Sequence, residues 1–178
     1  MTKGEFALLH LDVLSDKFSR KQVFEYIHLM ESPSSYPLAN ALMAASRNEG
    51  ITDTPKHLNI KDHTIIPGEG VVATVNGTSV YVGNYRMMAR LAATGFSESV
   101  LSLTKSWALS GGTVGFLCIG SDIAAAYCVA DSLRPEAVKV LKSLHALHIE
   151  PCMLTGNNIN VAKKIGSQAS LSFDKNQI

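Results

Sequence analysis

Two periodicities divide the chain. Val23, Phe24, Ile27 and Met30 fall on one helical face, and Leu38, Ala41, Leu42 and Ala45 repeat at i, i+3, i+4 and i+7. Ser19-Arg-Lys-Gln22 opens the first of these runs as a capping box, with Ser at the N-cap and Gln three residues on. Pro33 ends it. Pro37 stands first in the second helix, where its missing N–H costs nothing, and Gly50 is a natural stop. The tight Ser/Pro turn between the helices brings Glu31, Ser34 and Tyr36 together near a positive helix end.

The period then drops to two. Residues 51–62 are a polar connection, and Thr64-Ile-Ile is a short strand ending in Pro67-Gly-Glu-Gly70. The β-branched runs Val71–Val75 and Thr78–Val82 flank Asn76-Gly77, which predicts a tight hairpin. Asn76-Gly77-Thr78 also matches a glycosylation sequon, one that a cytosolic chain leaves unmodified. Gly83-Asn84 leads into a short helix through Met87, Met88 and Leu91. Ser97 opens another, with Val100, Leu103, Thr104 and Trp107 on one side, stopping at Gly111-Gly112. Residues 113–119 and 123–130 are two further strands around Gly120-Ser-Asp122, and residues 2–14 read as an extended lead-in. Antiparallel strands with helices on one face give an α+β domain.

At Asp131 the pattern changes. Ser132-Leu-Arg-Pro135-Glu starts a helix with Val138, Leu141 and Leu144 inward. Cys152-Met-Leu154 is a buried strand, and Thr155-Gly156-Asn157-Asn158 is a loop opening a helix with Val161, Ala162 and Ile165. This is α/β, a partial Rossmann-like segment with a ligand loop at a strand's carboxyl end. The expected division is 1–128, with 1–14 leading in from the second domain, and 129–178.

Composition narrows the function. The 178 residues carry a formal net charge of +1 and are 46% hydrophobic. That is ample for a core and gives no electrostatic footprint for nucleic acid or an acidic membrane surface. No apolar run reaches the roughly 20 residues that span a bilayer, and the polar start Met1-Thr-Lys-Gly-Glu is no signal peptide. Cys118, Cys128 and Cys152 lack metal-site spacing and sit in apolar runs, so buried reduced thiols are expected. His145 and His148 lie at i, i+3 without a third ligand; a partly exposed helix face is the expectation, and no metal site.

Three short motifs follow in order: Glu31-Ser-Pro-Ser-Ser-Tyr-Pro37, Gly68-Glu69-Gly70-Val71 and Gly83-Asn84. Together they resemble the nucleotide-binding domain of the heavy-metal-transporting P-type ATPases, whose pattern is Glu-x-x-Ser-x-His-Pro, Gly-x-Gly-(Ile/Val), then Gly-Asn. The resemblance implies an ATP site built from Glu31, Ser34, Tyr36, Gly68, Glu69, Gly70, Val71, Gly83 and Asn84. Glycines let backbone approach a flat ligand, and a carboxylate accepts from the adenine amino group. Each has a plainer reading: Glu31 a solvated residue at a helix end, Tyr36 a loop aromatic packed on the helices, Gly68–Gly70 a turn, Asn84 a helix cap. Tyr36 departs from the family's histidine. It keeps an aromatic face and one hydroxyl but loses ring nitrogens and positive charge.

The likeness extends to both sides. Thr2-Lys3-Gly4 looks like the end of Asp-Lys-Thr-Gly-Thr, which implies a phosphorylated aspartate just upstream. Ala130-Asp131-Ser-Leu-Arg resembles the return into the phosphorylation domain, with Asp131 at the hinge; capping the next helix is its plainer role. Met153-Leu-Thr155-Gly156-Asn157-Asn158 is similar to Met-Leu-Thr-Gly-Asp-Asn, a phosphate-handling loop in which Thr155, Gly156 and Asn157 are the catalytic candidates. Asn157 replaces a carboxylate. Phe173-Asp174-Lys175 only faintly matches a later lysine motif. The implied protein is a membrane pump for a heavy-metal or copper-like ion, using ATP and Mg2+. This chain would lie on its cytosolic face beside the remaining phosphorylation, actuator and transmembrane domains. Two other readings stand beside it. One is a degenerate interaction module. The other is a free-standing phosphatase, which needs an N-terminal Asp-x-Asp-x-Thr that is absent here.

Overall fold

The computed structural model describes residues 2–91, 96–134, 136–152 and 166. The chain enters on strand β1 (Thr2–Val13). Helices α1 (Arg20–Glu31) and α2 (Pro37–Asn48) follow. Then come β2 (Ile60–Ile66), β3 (Gly70–Val75) and β4 (Thr78–Gly83). Helices α3 (Tyr85–Arg90) and α4 (Glu98–Leu109) separate these from β5 (Thr113–Ile119) and β6 (Asp122–Leu133). Helix α5 (Ala137–Ala146) comes last.

The six strands form one antiparallel sheet in the order β1-β6-β5-β4-β3-β2. Strands β2 to β6 are a meander, and β1 joins its far edge beside β6. The hairpin of β3 and β4 closes with Val75 opposite Thr78, across the Asn76-Gly77 turn, and ends with Gly70 opposite Gly83.

Local signals explain the helices. Ser19 and Gln22 form the capping box of α1, satisfying donors that a helix start leaves unpaired. Pro37 is the first residue of α2. Ser97 caps α4 by accepting from the Val100 amide.

Helices cover both faces of the sheet, not one. Phe24, Ile27, Met30 and Leu42 of α1 and α2 pack on Val71, Ala73, Val80, Val82, Leu117 and Val129. Met87, Met88, Val100 and Trp107 of α3 and α4 pack on the opposite face, against Phe116, Cys118, Ala126 and Cys128. Alternate residues of β5 and β6 feed the two cores, as a pleat requires.

Other expectations change. The extended lead-in is a twelve-residue edge strand, pairing from Thr2 opposite Leu133 to Val13 opposite Ala125. Strand β2 begins at Ile60, four residues before the predicted Thr64. Strand β6 runs without a break through residue 129. Asp131 lies inside it, opposite Phe6, so it does not cap the next helix. That helix starts at Ala137 rather than Ser132, with Glu136 at its N-cap. Leu141 is buried, while Val138 and Leu144 are half-buried. Cys118 and Cys128 are buried, but Cys152 is exposed; Met153 and Leu154, the rest of the predicted strand, lie outside the described residues. The Thr155–Asn158 loop and the helix after it lie outside the described residues.

No helix among the described residues is long and apolar enough to cross a membrane. Leu42 is fully buried between α2 and the sheet. Leu42→Ala is expected to lower stability by about 2–5 kcal/mol in urea unfolding, the range for a core leucine that leaves a cavity. Truncating the exposed Leu147 in the same way leaves the midpoint near its native value.

Candidate functional site

A cleft of about 230 Å3 opens where the end of α1 and the start of α2 face the loop between β2 and β3. Glu31, Ser34, Tyr36, Leu38 and Ala39 form one wall. Ile65, Ile66, Pro67, Gly68, Glu69, Gly70 and Val71 form the other, continued by Val82, Gly83 and Asn84. Thr113, Val114 and Gly115 of β5 and Tyr127 of β6 complete the lining. His63 of β2 ties the first wall to the sheet edge, its Nε2 lying 2.8 Å from the Met30 carbonyl oxygen.

The glycine loop is held by α3. The Asn84 side chain accepts from the Met87 amide at 3.1 Å, capping α3, and its Nδ2 donates to the Gly68 carbonyl at 2.8 Å. The Asn84 backbone N–H donates to the Glu69 carbonyl at 2.9 Å. Arg90, one turn further along α3, donates to the Glu69 carboxylate at 2.6 Å. Gly70 sits at φ 152°, a region closed to residues with a side chain, and a Cβ there would strike the Val82 carbonyl oxygen. Gly83, directly opposite, has the Glu69 carbonyl oxygen 2.6 Å from where its Cβ would stand. Both positions admit only glycine without moving backbone.

The facing wall starts at a helix terminus. The Glu31 carbonyl accepts from the Ser34 amide at 2.9 Å, closing the turn after α1. The Ser34 hydroxyl accepts from the Tyr36 N–H at 3.3 Å. Tyr36 is the N-cap of α2 but makes no side-chain cap, and its ring is 65% exposed. The first amides of α2 therefore meet the cleft with their positive dipole end free of a capping oxygen.

Glu31 is not the solvated helix-end residue that a plain reading allows. It is only 7% exposed, and burial pushes its carboxyl up to about 7. The Tyr127 phenol is also raised, first by burial and then by the Glu31 charge.

The nine residues expected to hold a nucleotide therefore line one cleft, although the outermost pair, Glu31 and Asn84, stand 53 positions apart in sequence. Asp131 is not among them; it sits on β6 opposite Phe6. Thr155, Gly156 and Asn157 lie outside the described residues. Sequence reasoning missed Leu38, Ala39, Thr113, Gly115 and Tyr127, all cleft-lining. One signal was present: a glycine inside the strand run Thr113-Val-Gly-Phe-Leu marks a close approach, and a Cβ at Gly115 would fall on the Tyr127 ring. Among the described residues no group of three or more His, Cys, Asp or Glu is placed to hold a metal.

A profile of the haloacid dehalogenase-like hydrolases matches residues 7–175. The probable cadmium-transporting ATPase of Alkalihalophilus pseudofirmus is 31% identical over 173 residues, 97% of this chain and 24% of its own length. The crystal structure of a zinc-transporting PIB-type ATPase in the E2.Pi state superposes with a TM-score of 0.72 at 21% identity, over 97% of this chain and 27% of that one. The N-domain of HMA6, a copper-transporting P-type ATPase, superposes with a TM-score of 0.55 at 23% identity, over 71% of this chain and 99% of that domain. The chain thus spans about a quarter or less of the full-length transporters it matches. On these matches the chain belongs to the haloacid dehalogenase-like hydrolase family, and its sequence and fold are those of a heavy-metal P-type ATPase segment.

Proposed function

We propose that the cleft binds the adenosine of ATP and that the chain is the nucleotide-presenting portion of a heavy-metal cation-translocating P-type ATPase. The observation that carries this reading is the cleft itself: a wall with bare backbone at Gly68 and Gly70 faces a buried carboxylate across a mostly apolar gap. Gly68 and Gly70 put no side chain between a ring and the backbone, and Val71, Val82, Leu38 and Ala39 supply apolar cover. Glu31 accepts from the 6-amino group. The uncapped start of α2 favours the phosphate end of the ligand. Asn84 contributes by fixing the glycine loop, since its amide is already committed to Gly68 and Met87.

The same reading assigns residues 1–128 to a nucleotide-binding domain and 129–178 to part of a phosphorylation domain. The copper-transporter N-domain supports this, because 71% of the chain accounts for 99% of it. Strands β1 and β6 carry the crossing as a paired ribbon, with Asp131 opposite Phe6 as the hinge position. Thr155, Gly156 and Asn157 would handle phosphate there, and Mg2+ would accompany the triphosphate. The transported ion, the membrane and the remaining domains belong to the whole pump.

Two measurements test the site. Titrating the chain with ATP, followed by amide NMR, is expected to move Gly68, Gly70 and the Glu31–Tyr36 turn. Tyr36→His adds ring nitrogens and partial charge, so it is expected to bind ATP several-fold more tightly, about the effect of one charge-assisted hydrogen bond. Equal or tighter binding by the native tyrosine contradicts that role.

The second measurement is pH. The folded state raises the Glu31 carboxyl from 4.5 to about 7, so it holds the proton more tightly than the unfolded chain does. Stability from this group is therefore greatest below pH 4.5 and falls as pH rises to 7. An amino-group donor needs the ionised form, so ATP affinity is expected to strengthen by up to about tenfold between pH 6 and 8. Glu31→Gln is expected to remove both slopes and to raise stability at pH 8 by on the order of 2 kcal/mol, read by calorimetric titration and urea unfolding.

A further inference from the structure

The cleft holds a second buried polar side chain that the nucleotide motifs do not contain. Tyr127 lines the cleft and is 3% exposed. Its place depends on Gly115, the neighbouring residue on β5. A Cβ there would overlap the Tyr127 Cζ and hydroxyl, so it is the polar end of the ring that lies against this part of the cleft wall. Glu31 lines the same cleft from α1 and is 7% exposed. Burial, and after it the Glu31 charge, raises the phenol, which favours its neutral, donating form. A hydroxyl on the cleft wall can donate to a ligand that displaces water from it.

We propose that Tyr127 is a specificity-determining residue of the cleft, its hydroxyl donating to a purine ring nitrogen beside the 6-amino group that Glu31 accepts from. This rests on the adenosine reading above and adds a residue to it. A donor next to an acceptor is the complement of the adenine edge, where an acceptor nitrogen adjoins an amino donor. The nitrogen is therefore N1: guanine presents the reverse there, with a carbonyl oxygen at position 6 and an N–H at position 1, whereas N7 accepts in both bases. The carboxylate then meets an acceptor, and the phenol hydrogen loses its own. The pair therefore selects adenine by adding a bond for the right base and leaving two groups unsatisfied for the wrong one.

Calorimetric titration of the 178-residue chain with ATP, GTP, 1-deaza-ATP and 7-deaza-ATP tests this, on native protein and Tyr127→Phe. The phenylalanine keeps the ring beside Gly115, and a matched thermal melt confirms that the fold is retained. Tyr127→Phe is expected to weaken ATP by roughly threefold to tenfold, as for one neutral hydrogen bond, with GTP affinity unchanged. 1-deaza-ATP, which lacks N1, is expected to bind native and variant protein equally, whereas 7-deaza-ATP weakens in the variant as ATP does; a loss traced to N7 instead overturns the selectivity. If ATP and GTP weaken in parallel, Tyr127 only shapes the cleft and the proposal is overturned. If Tyr127→Phe binds ATP as the native chain does, the hydroxyl has no role. Failure of the native chain to bind ATP at all instead defeats the adenosine reading, and this inference with it.

Discussion

The near-contact of the Gly68–Gly70 loop with the start of α3 is the constraint on which the cleft depends. Gly70 and Gly83 face each other at the open end of the β3–β4 hairpin, and neither position has room for a Cβ. Asn84 then joins three backbone groups, taking the Met87 amide, giving to the Gly68 carbonyl and pairing its own N–H with the Glu69 carbonyl. Arg90 adds an ion pair to Glu69 from the next turn of α3. The helix cap and the loop clamp are thus one device. A wall fixed this way is ordered before any ligand arrives, so little loop entropy remains to oppose binding.

That device also explains why the motifs were legible. A hairpin closed by Asn76-Gly77 pairs Val75 with Thr78, and counting outward sets Gly70 opposite Gly83. Two glycine motifs thirteen positions apart are therefore neighbours by register alone. The Ser/Pro turn was equally readable, because a capping box at Ser19 and a proline at position 37 fix both helix boundaries locally. The pairing of β1 with β6 was not. A strand pattern gives period but not partner, and Phe6 meets Asp131 across most of the chain. The same gap hid the two-sided sheet, since an apolar helix stripe does not say which face it covers. It also made Asp131 resemble a helix cap, because the polar residue after an apolar run marks a boundary only when the strand stops there. Cys152 misled for a related reason: an apolar neighbourhood in sequence does not by itself bury a thiol, and this one is exposed.

Tyr127 was illegible for a different reason. In a run of small and apolar residues, Ala124-Ala-Ala-Tyr-Cys-Val, one tyrosine reads as core. Its position against the cleft comes from Gly115, which belongs to another strand and sits opposite it only through the β5–β6 register. Neither residue signals the other locally. The glycine announces a close approach, and only the sheet says what approaches.

Glu31 shows what the arrangement costs and why it persists. A carboxyl held at about 7 by burial is a folding liability near neutral pH, because the unfolded chain ionises it more readily. Nothing in the packing of α1 demands an acid there; the rest of that helix face is Val23, Phe24, Ile27 and Met30. Positions that break a local rule without a packing reason tend to be functional. Here the unfavourable group faces a cleft whose opposite wall presents bare backbone at Gly68 and Gly70, and a ligand that donates to the carboxylate offsets the desolvation that weakens the fold. Under the proposed reading, the energy withheld from folding at Glu31 reappears as preference for an adenine amino group, and the site is selective because a carboxylate in a desolvated wall rewards a donor and penalises an acceptor.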